Sequence, residues 1–224
     1  MKLWLDTIDF QAVKHAQDLG ILAGVTTNPA ILGAANEDVE GILDRLLDIQ
    51  SGQLAVQVCA DDLAGQLKQA RRIARKSPRI VIKIPAIGDG FQAMATLEKE
   101  GVATLATAIF ETRQVVMAGM VGARYAAPYV NRIEQSTGNA FAMLEQAQHI
   151  LDSAGYPTAI LGAAIKSVDQ FIGCARLGIA AITLPTEVYR RLFASSTDID
   201  GSLAQFDAAW AGNPLATSSH LFDV

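Results

Sequence analysis

The chain has 224 residues, with 18 basic and 23 acidic side chains and a formal net charge of −5 at pH 7. Half of the residues are hydrophobic and 18% are charged, which provides a sizeable core and excludes an intrinsically disordered chain. The acidic balance argues against a nucleic-acid partner, because neutralising phosphates requires clustered lysine and arginine.

Eight short runs rich in apolar and β-branched residues follow one another along the chain, with starts roughly 20 to 30 residues apart, about one strand–helix unit. Runs of this kind between amphipathic segments predict buried β-strands. In chain order they are Leu3–Asp6, Gly24–Thr27, Ala55–Cys59, Ile80–Ile84, Thr104–Ile109, Ala126–Val130, Thr158–Ala164 and Ala180–Leu184.

The segments between these runs have apolar residues at helical spacing, which predicts amphipathic helices. Asp38 and Thr112 are predicted N-caps, and Gly20 and Gly178 are predicted to end two helices. The clearest apolar stripes are Val39, Ile42, Leu43, Leu46 and Leu47, and Met143, Leu144, Ala147, Ile150 and Leu151.

Alternating strands and helices predict a parallel sheet, and the count of eight strands predicts closure into a barrel. The expected fold is therefore α/β: a single (β/α)8 TIM barrel over residues 1–224 with an extra C-terminal helix. Residues 200–224 are expected to form that helix and a tail, which folds over the barrel or onto a neighbouring subunit.

Polar residues occur where seven of the strands end, and barrels of this kind build their active sites at the C-terminal ends of their strands. Side chains from these positions should therefore converge on one mouth of the barrel. They are Asp6, Thr26, Thr27, Asn28, Gln57, Lys83, Thr107, Tyr129, Asn131, Arg132, Lys166 and Ser167.

Lys83 is the most informative of these residues, because it interrupts the apolar strand IVIKIP. Strand alternation places it on one face with Val81 and Pro85, so it should point into the barrel. Burying an ammonium group is costly, which favours a neutral amine, a nucleophile for carbonyl carbons. A catalytic lysine is the favoured interpretation, and a structural lysine paired with Asp6 is the alternative.

The remaining polar residues have both a catalytic and a structural interpretation. Tyr129, beside Gln57 and Thr107, can hold a water and act as an acid or base, or can pack in the core with its hydroxyl bonded. Arg132 and Lys166 can together bind a phosphate or another anion, or can be ordinary charges at the rim.

A glycine-rich segment, Gly88–Ala93, offers a competing function. It matches G-x-G-x-x-A after a strand, with Glu111 about 20 residues further on, which is the outline of a dinucleotide site. Such a motif usually opens a Rossmann domain, whereas here it follows the fourth strand, so a turn and a helix start are the favoured interpretation.

The chain shows no sign of metal binding, secretion or membrane insertion. Cys59 and Cys174 lie far apart and have neither metal-ligand nor disulfide spacing. No signal peptide or membrane span is expected, and the location should be cytoplasmic.

Five segments of the chain match one enzyme family: LWLDT, AGVTTNPAIL, VIKIP, APYVNRI and ITLPTEV. By these motifs the sequence resembles the small transaldolase and fructose-6-phosphate aldolase family along nearly its full length. The order and spacing of VTTNP and IKIP are highly specific to this family.

The resemblance implies a class I aldolase in which Lys83 forms a Schiff base with a ketone. Asp6 would transfer protons, Thr26 and Asn28 would hold donor hydroxyls, and Arg132 would bind the acceptor phosphate. No metal or other cofactor is implied. The implied partners are a sugar or sugar-phosphate substrate and further copies of the chain, assembled as a decamer with C-terminal segments packed across subunits.

Gln57 and Tyr129 match the aldolases of the family. Its transaldolases have glutamate in place of Gln57, phenylalanine in place of Tyr129 and asparagine in place of Leu105. The resemblance therefore implies cleavage of fructose 6-phosphate or a similar sugar into dihydroxyacetone and glyceraldehyde 3-phosphate. Transfer of a dihydroxyacetone unit between sugar phosphates is the alternative. A non-catalytic barrel is a further alternative, but a scaffold has no need for a buried lysine.

Two departures from the aldolase pattern concern the acceptor. Ala164 stands where the aldolase has a serine, which removes a hydroxyl from the acceptor end of the site. Ala55 stands where it has a phenylalanine, which should enlarge or reshape the pocket. Neither change affects the residues of the Schiff-base chemistry.

Overall fold

Eight parallel strands close into a barrel in sequential order in the computed structural model, which describes residues 1–213. The predicted (β/α)8 fold with a C-terminal helix is thereby confirmed. The strands are β1 (Lys2–Asp6), β2 (Leu22–Thr26), β3 (Gln53–Gln57), β4 (Ile80–Pro85), β5 (Thr104–Ile109), β6 (Tyr125–Pro128), β7 (Ala159–Gly162) and β8 (Ala181–Leu184).

Helices follow each strand, and the longer helices between β1 and β8 bury apolar residues on one side. In the first predicted stripe Ile42, Leu43, Leu46 and Leu47 are buried, whereas Val39 is exposed. The helices are α1 (Phe10–Asp18), α2 (Pro29–Gly33), α3 (Val39–Ile49), α4 (Leu63–Ala74), α5 (Asp89–Lys99), α6 (Thr112–Met120), α7 (Val130–Thr137), α8 (Ala140–Ala154), α9 (Val168–Arg176), α10 (Thr186–Arg191) and α11 (Thr197–Ala211).

The chain forms two compact units. The first, Met1–Tyr189, contains the barrel, and the second begins at Arg190 and contains α11. On α11 the apolar side chains Ile199, Leu203 and Phe206 are each at least half exposed. Packing of residues 200–224 on a neighbouring subunit stays a prediction, and residues 214–224 lie outside the described part of the chain. No helix within residues 1–213 is both long and apolar enough to cross a membrane.

Small side chains surround one large aromatic inside the barrel. Trp4 is 1% exposed and packs edge-on against Tyr125, with a distance of 5.4 Å between ring centroids. Ala55 belongs to the same cluster, is fully buried and is not among the residues that line the cavity at the mouth of the barrel. The cluster consists of Trp4, Ala55, Val81, Leu105, Ala127, Leu161, Ala163 and Ala181.

Several predicted strand boundaries differ from the structure. The third strand, predicted as Ala55–Cys59, is Gln53–Gln57, and the seventh, predicted as Thr158–Ala164, is Ala159–Gly162.

The sixth strand ends at Pro128 and α7 begins at Val130, although the Tyr129 and Val130 amides still donate to the Ile109 and Ala163 carbonyls. The N-cap of α6 is Glu111 rather than Thr112, which is the first helical residue. The Gln114 side chain returns across this helix start and accepts the Glu111 amide at 3.1 Å.

Two alanines adopt the left-handed backbone conformation near the C-terminal ends of strands. Ala108 has φ 55° and lies where the pairing of β5 with β6 shifts register. Ala164 has φ 54° and follows β7. This conformation costs a residue with a Cβ atom about 1–2 kcal/mol.

The glycines of the Gly88–Ala93 segment have a local structural role, and the dinucleotide interpretation is wrong because the segment follows β4 of a closed barrel rather than opening a Rossmann domain. Gly88 has φ 50°, which L residues with side chains rarely adopt. A Cβ atom on Gly90 would collide with the Pro85 carbonyl oxygen and lie 3.2 Å from a methyl carbon of Ile84.

We expect Gly90→Ala to lower the free energy of unfolding by about 1–3 kcal/mol, because β4 and α5 must separate to admit the methyl group. Urea denaturation measures this change. Gly41→Ala is the matched control: it lies in α3, where a Cβ atom meets only the Asp38 carboxylate at 3.7 Å. The control should raise stability by roughly 0.5–1 kcal/mol through helix propensity. Equal effects of both variants would contradict the steric argument.

Candidate active site

A cavity of about 550 Å³ opens at the C-terminal mouth of the barrel. Polar residues at the C-terminal ends of the strands line it, which is where barrels of this kind have their active sites. Among the polar residues predicted at this mouth, Thr27, Thr107, Asn131 and Ser167 do not line it. Those that do are Asp6, Thr26, Asn28, Gln57, Lys83, Tyr129, Arg132 and Lys166.

Lys83 lies on the wall of this cavity and is only 6% exposed. Its strand position pairs with Gln57 on β3 and with Leu105 on β5. Its Nζ donates to the carbonyl oxygen of Thr27 at 3.1 Å. Within residues 1–213 no acidic side chain forms an ion pair with Lys83, so the alternative of a structural pair with Asp6 is not observed. The amine therefore faces the cavity with a single backbone partner.

Asp6 takes part in a chain of hydroxyl groups instead. The Thr26 hydroxyl donates to Asp6 Oδ1 at 2.6 Å and lies 2.8 Å from the Thr183 hydroxyl. Because the one proton of Thr26 is directed to Asp6, Thr183 must be the donor of the second bond. Thr183 is 2% exposed on β8 and also lines the cavity. The sequence reasoning missed it, since threonine is an ordinary strand residue.

Tyr129, which directly follows β6, also lines the cavity. Its hydroxyl lies 3.0 Å from the hydroxyl of Thr107, which is 1% exposed behind it. Phe110 packs edge-on against the tyrosine ring at 5.5 Å, and the Arg132 guanidinium lies 4.9 Å from the ring centroid. These contacts hold the ring in one orientation. Gln57 lines the cavity, and its side-chain amide forms no hydrogen bond to any described residue.

The two polar atoms of the Asn28 side chain have different roles. Its Oδ1 accepts the Ile31 amide at 3.0 Å and so caps the N-terminus of α2. The Nδ2 group is therefore oriented by the cap and remains a donor for a hydroxyl in the cavity.

Arg132, Lys166 and Glu187 bring three charges to the rim of the cavity. Lys166 Nζ lies 3.6 Å from Glu187 Oε1, a pair that the sequence did not predict. Asn131 does not reach the cavity, but its Oδ1 accepts from Gln170, whose Oε1 accepts the backbone amide of Lys166. Asn131 thus contributes by fixing the loop that carries Lys166.

Neither cysteine contributes a nucleophile to the cavity. Cys174 is fully buried, and desolvation raises the pKa of its thiol to about 12, so it stays protonated near neutral pH. Cys59 is exposed and lies outside the cavity lining. Within residues 1–213 no three His, Cys, Asp or Glu side chains are grouped to hold a metal ion. Lys83 and Lys166 both bring an amine to the cavity, and Lys83 is the buried one of the two.

Residues 3–219 of the chain match the family model described as transaldolase/fructose-6-phosphate aldolase. Among solved structures, one similar chain is assigned as a fructose-1,6-biphosphate aldolase from Coccidioides immitis. It has a TM-score of 0.56 and 15% identity, over 82% of this chain and 73% of that chain.

Two flavoprotein structures show a comparable likeness. A mandelate oxidase variant has a TM-score of 0.57 and 14% identity, over 90% of this chain and 69% of that one. A flavocytochrome b2 variant has a TM-score of 0.54 and 10% identity, over 84% of this chain, which spans only 57% of that protein. At such identities the likeness to these three structures shows the shared barrel fold alone.

Proposed function

Because this chain belongs to the transaldolase/fructose-6-phosphate aldolase family, we propose that it is a class I aldolase. It reversibly cleaves fructose 6-phosphate, or a similar sugar, into dihydroxyacetone and glyceraldehyde 3-phosphate. The family makes the protein an enzyme of the aldolase or transaldolase type. The observation that carries the proposal further is Lys83, which is buried in the cavity and, among residues 1–213, has the Thr27 carbonyl as its one hydrogen-bond partner.

Lys83 begins the reaction by adding its amine to the C2 ketone of the substrate. The resulting carbinolamine loses water, and a C=N bond forms that carries a positive charge. Asp6 supplies and removes the protons of these steps, since its carboxylate lines the same cavity. Asp6 then takes the proton of the C4 hydroxyl, and the C3–C4 bond breaks. Its electron pair moves into the iminium, which becomes an enamine, and the aldehyde leaves.

Tyr129 decides what happens to the enamine. A water held by Tyr129 and Gln57, with Thr107 bonded to the tyrosine hydroxyl from behind, relays a proton to the enamine carbon, which restores the iminium. Water then adds to the iminium, and dihydroxyacetone leaves Lys83. The hydroxyl contact between Tyr129 and Thr107 supports this relay. Without it, the enamine waits for an acceptor aldehyde, and the enzyme is a transferase.

The rest of the cavity holds the two ends of the substrate. Thr26 and the Nδ2 group of Asn28 contact the hydroxyls of the dihydroxyacetone part. Arg132 and Lys166 bind the phosphate of the aldehyde part, with Asn131 fixing the loop of Lys166 through Gln170. A guanidinium and an ammonium are the usual donors to phosphate oxygens in proteins.

Release of glyceraldehyde 3-phosphate from fructose 6-phosphate, with and without erythrose 4-phosphate, tests the proposal. An aldolase releases it without the acceptor. Release only with erythrose 4-phosphate would establish the second candidate, a transaldolase that moves a dihydroxyacetone unit between sugar phosphates. That candidate is retained because the family contains both activities.

We expect Thr183→Val to lower kcat roughly tenfold with little change in KM, because Thr26 loses the donor that directs its own proton to Asp6. Steady-state cleavage kinetics measure this effect. Thr183→Ser retains the hydroxyl and should restore most of the rate. A valine variant with the kcat of the parent enzyme would show that the hydroxyl chain does not orient Asp6.

A further inference from the structure

We propose that Glu187 is a specificity-determining residue, which weakens phosphate binding at the rim of the cavity by neutralising Lys166. As a consequence, the enzyme uses aldehydes and sugars with a neutral hydroxymethyl end nearly as well as phosphorylated ones. The inference rests on the proposed aldolase function and concerns the acceptor end of the same site.

The position of Glu187 is well defined by its surroundings. It lies in the first turn of α10, next to Thr186, whose hydroxyl donates to the Thr7 hydroxyl at 2.9 Å. The loop of Lys166 is held by Gln170 through the backbone amide of Lys166. Both charged side chains therefore extend from anchored backbone into the same rim, where they approach to 3.6 Å.

A phosphate at this rim meets one uncompensated cation rather than two. Within residues 1–213, Arg132 forms no ion pair with an acid, whereas Lys166 has a carboxylate at 3.6 Å. Ala164 lines the same part of the cavity and offers only a methyl group. The carboxylate of Glu187 occupies the ammonium that would otherwise bind the phosphate. A neutral hydroxyl does not depend on that ammonium.

The size of the effect follows from exposure. The Lys166 and Glu187 side chains are 59% and 60% exposed, so water screens the pair and it contributes little to stability. A unit charge about 4 Å away in water changes binding of another unit charge roughly fivefold. The effect should also shrink in concentrated salt, because ions screen exposed charges within several ångströms.

The test compares two acceptors that differ only in the phosphate, glyceraldehyde 3-phosphate and glyceraldehyde, each condensed with dihydroxyacetone. In Glu187→Gln, the ratio of kcat/KM for the phosphorylated over the unphosphorylated acceptor should rise roughly fivefold. This rise should largely disappear at molar potassium chloride. Asp61→Asn is the matched control: it removes one exposed carboxylate after β3, at the same end of the barrel but outside the cavity lining. Its ratio should stay within about twofold of the parent.

The same substitution made in the Lys166→Met variant tests whether Glu187 acts through Lys166 or through a general change in charge. In Lys166→Met, the further change Glu187→Gln should raise the ratio far less, because the ammonium that it frees is absent. The proposal is overturned if Glu187→Gln leaves the ratio where Asp61→Asn leaves it. It is equally overturned if the full rise persists without Lys166.

Failure of this inference is distinguishable from failure of the aldolase function. Borohydride reduction in the presence of dihydroxyacetone traps the adduct on Lys83 and involves no phosphate. A trapped adduct with an unchanged acceptor ratio would refute the role of Glu187 alone. Absence of both the adduct and any condensation product would refute the proposed function, and the inference with it.

Discussion

Lys83→Met is expected to lower turnover by at least about 10⁴-fold while the barrel stays folded. Methionine has nearly the length of lysine and is apolar, so it fits a residue that is 6% exposed. Within the described residues 1–213, the substitution removes one side-chain hydrogen bond, from Nζ to the Thr27 carbonyl. Removing a costly buried amine offsets that loss, so the midpoint of thermal unfolding should change little.

Intact mass spectrometry after borohydride reduction with dihydroxyacetone measures the loss of the nucleophilic amine directly. The parent enzyme should gain the mass of one reduced adduct, and Lys83→Met should gain none. Lys166→Met is the matched control, because it removes another lysine that lines the cavity but is 59% exposed. This control should keep the adduct. An adduct formed on Lys83→Met would show that another amine is the nucleophile.

Tyr129→Phe should reduce the release of dihydroxyacetone by about 10²–10⁴-fold, the usual contribution of a positioned acid or base. Transfer of the dihydroxyacetone unit to added erythrose 4-phosphate should persist, because it needs no proton at the enamine carbon. Phenylalanine keeps the ring contacts with Phe110 and Arg132, so the change is confined to the hydroxyl. The ratio of transfer to cleavage is the measured quantity.

Tyr125→Phe provides the control for loss of a partly buried phenol. The Tyr125 hydroxyl donates to Gln53 at 2.6 Å, at the N-terminal end of the barrel strands. Its removal should lower the free energy of unfolding by about 1 kcal/mol without altering the ratio of transfer to cleavage. If Tyr129→Phe released dihydroxyacetone as fast as the parent enzyme, the proton would have to come from another group.

The barrel and the position of Lys83 in its cavity were both predictable from the sequence, and for the same reason. Each strand is an apolar run whose interruption by a polar residue is visible, as with Lys83 in β4. The closed parallel topology confirms the fold predicted from eight such runs. Strand ends were less predictable. Tyrosine and valine both favour β-strands, which extended the predicted sixth strand through Tyr129 and Val130, but α7 begins at Val130 in the structure.

Partners of side chains were not predictable, because they depend on which loops meet in space. Thr183 looked like an ordinary β-branched strand residue, and only its hydroxyl contact with Thr26 reveals its role. Glu187 follows an apolar strand and resembles a solvated helix start. Asn131 was predicted to contact substrate, whereas its side chain bonds to Gln170. Such pairings join residues far apart in the chain, so no local pattern announces them.

The left-handed backbone at Ala164 limits how this enzyme can diverge. At φ 54° a β-branched or bulky side chain is strongly disfavoured, whereas glycine and asparagine are tolerated. The three charged rim residues are under no such restriction, since each lies on ordinary helical or loop backbone. Evolution or laboratory selection for a new acceptor should therefore accumulate changes at positions 132, 166 and 187, and should sample only a narrow set at position 164.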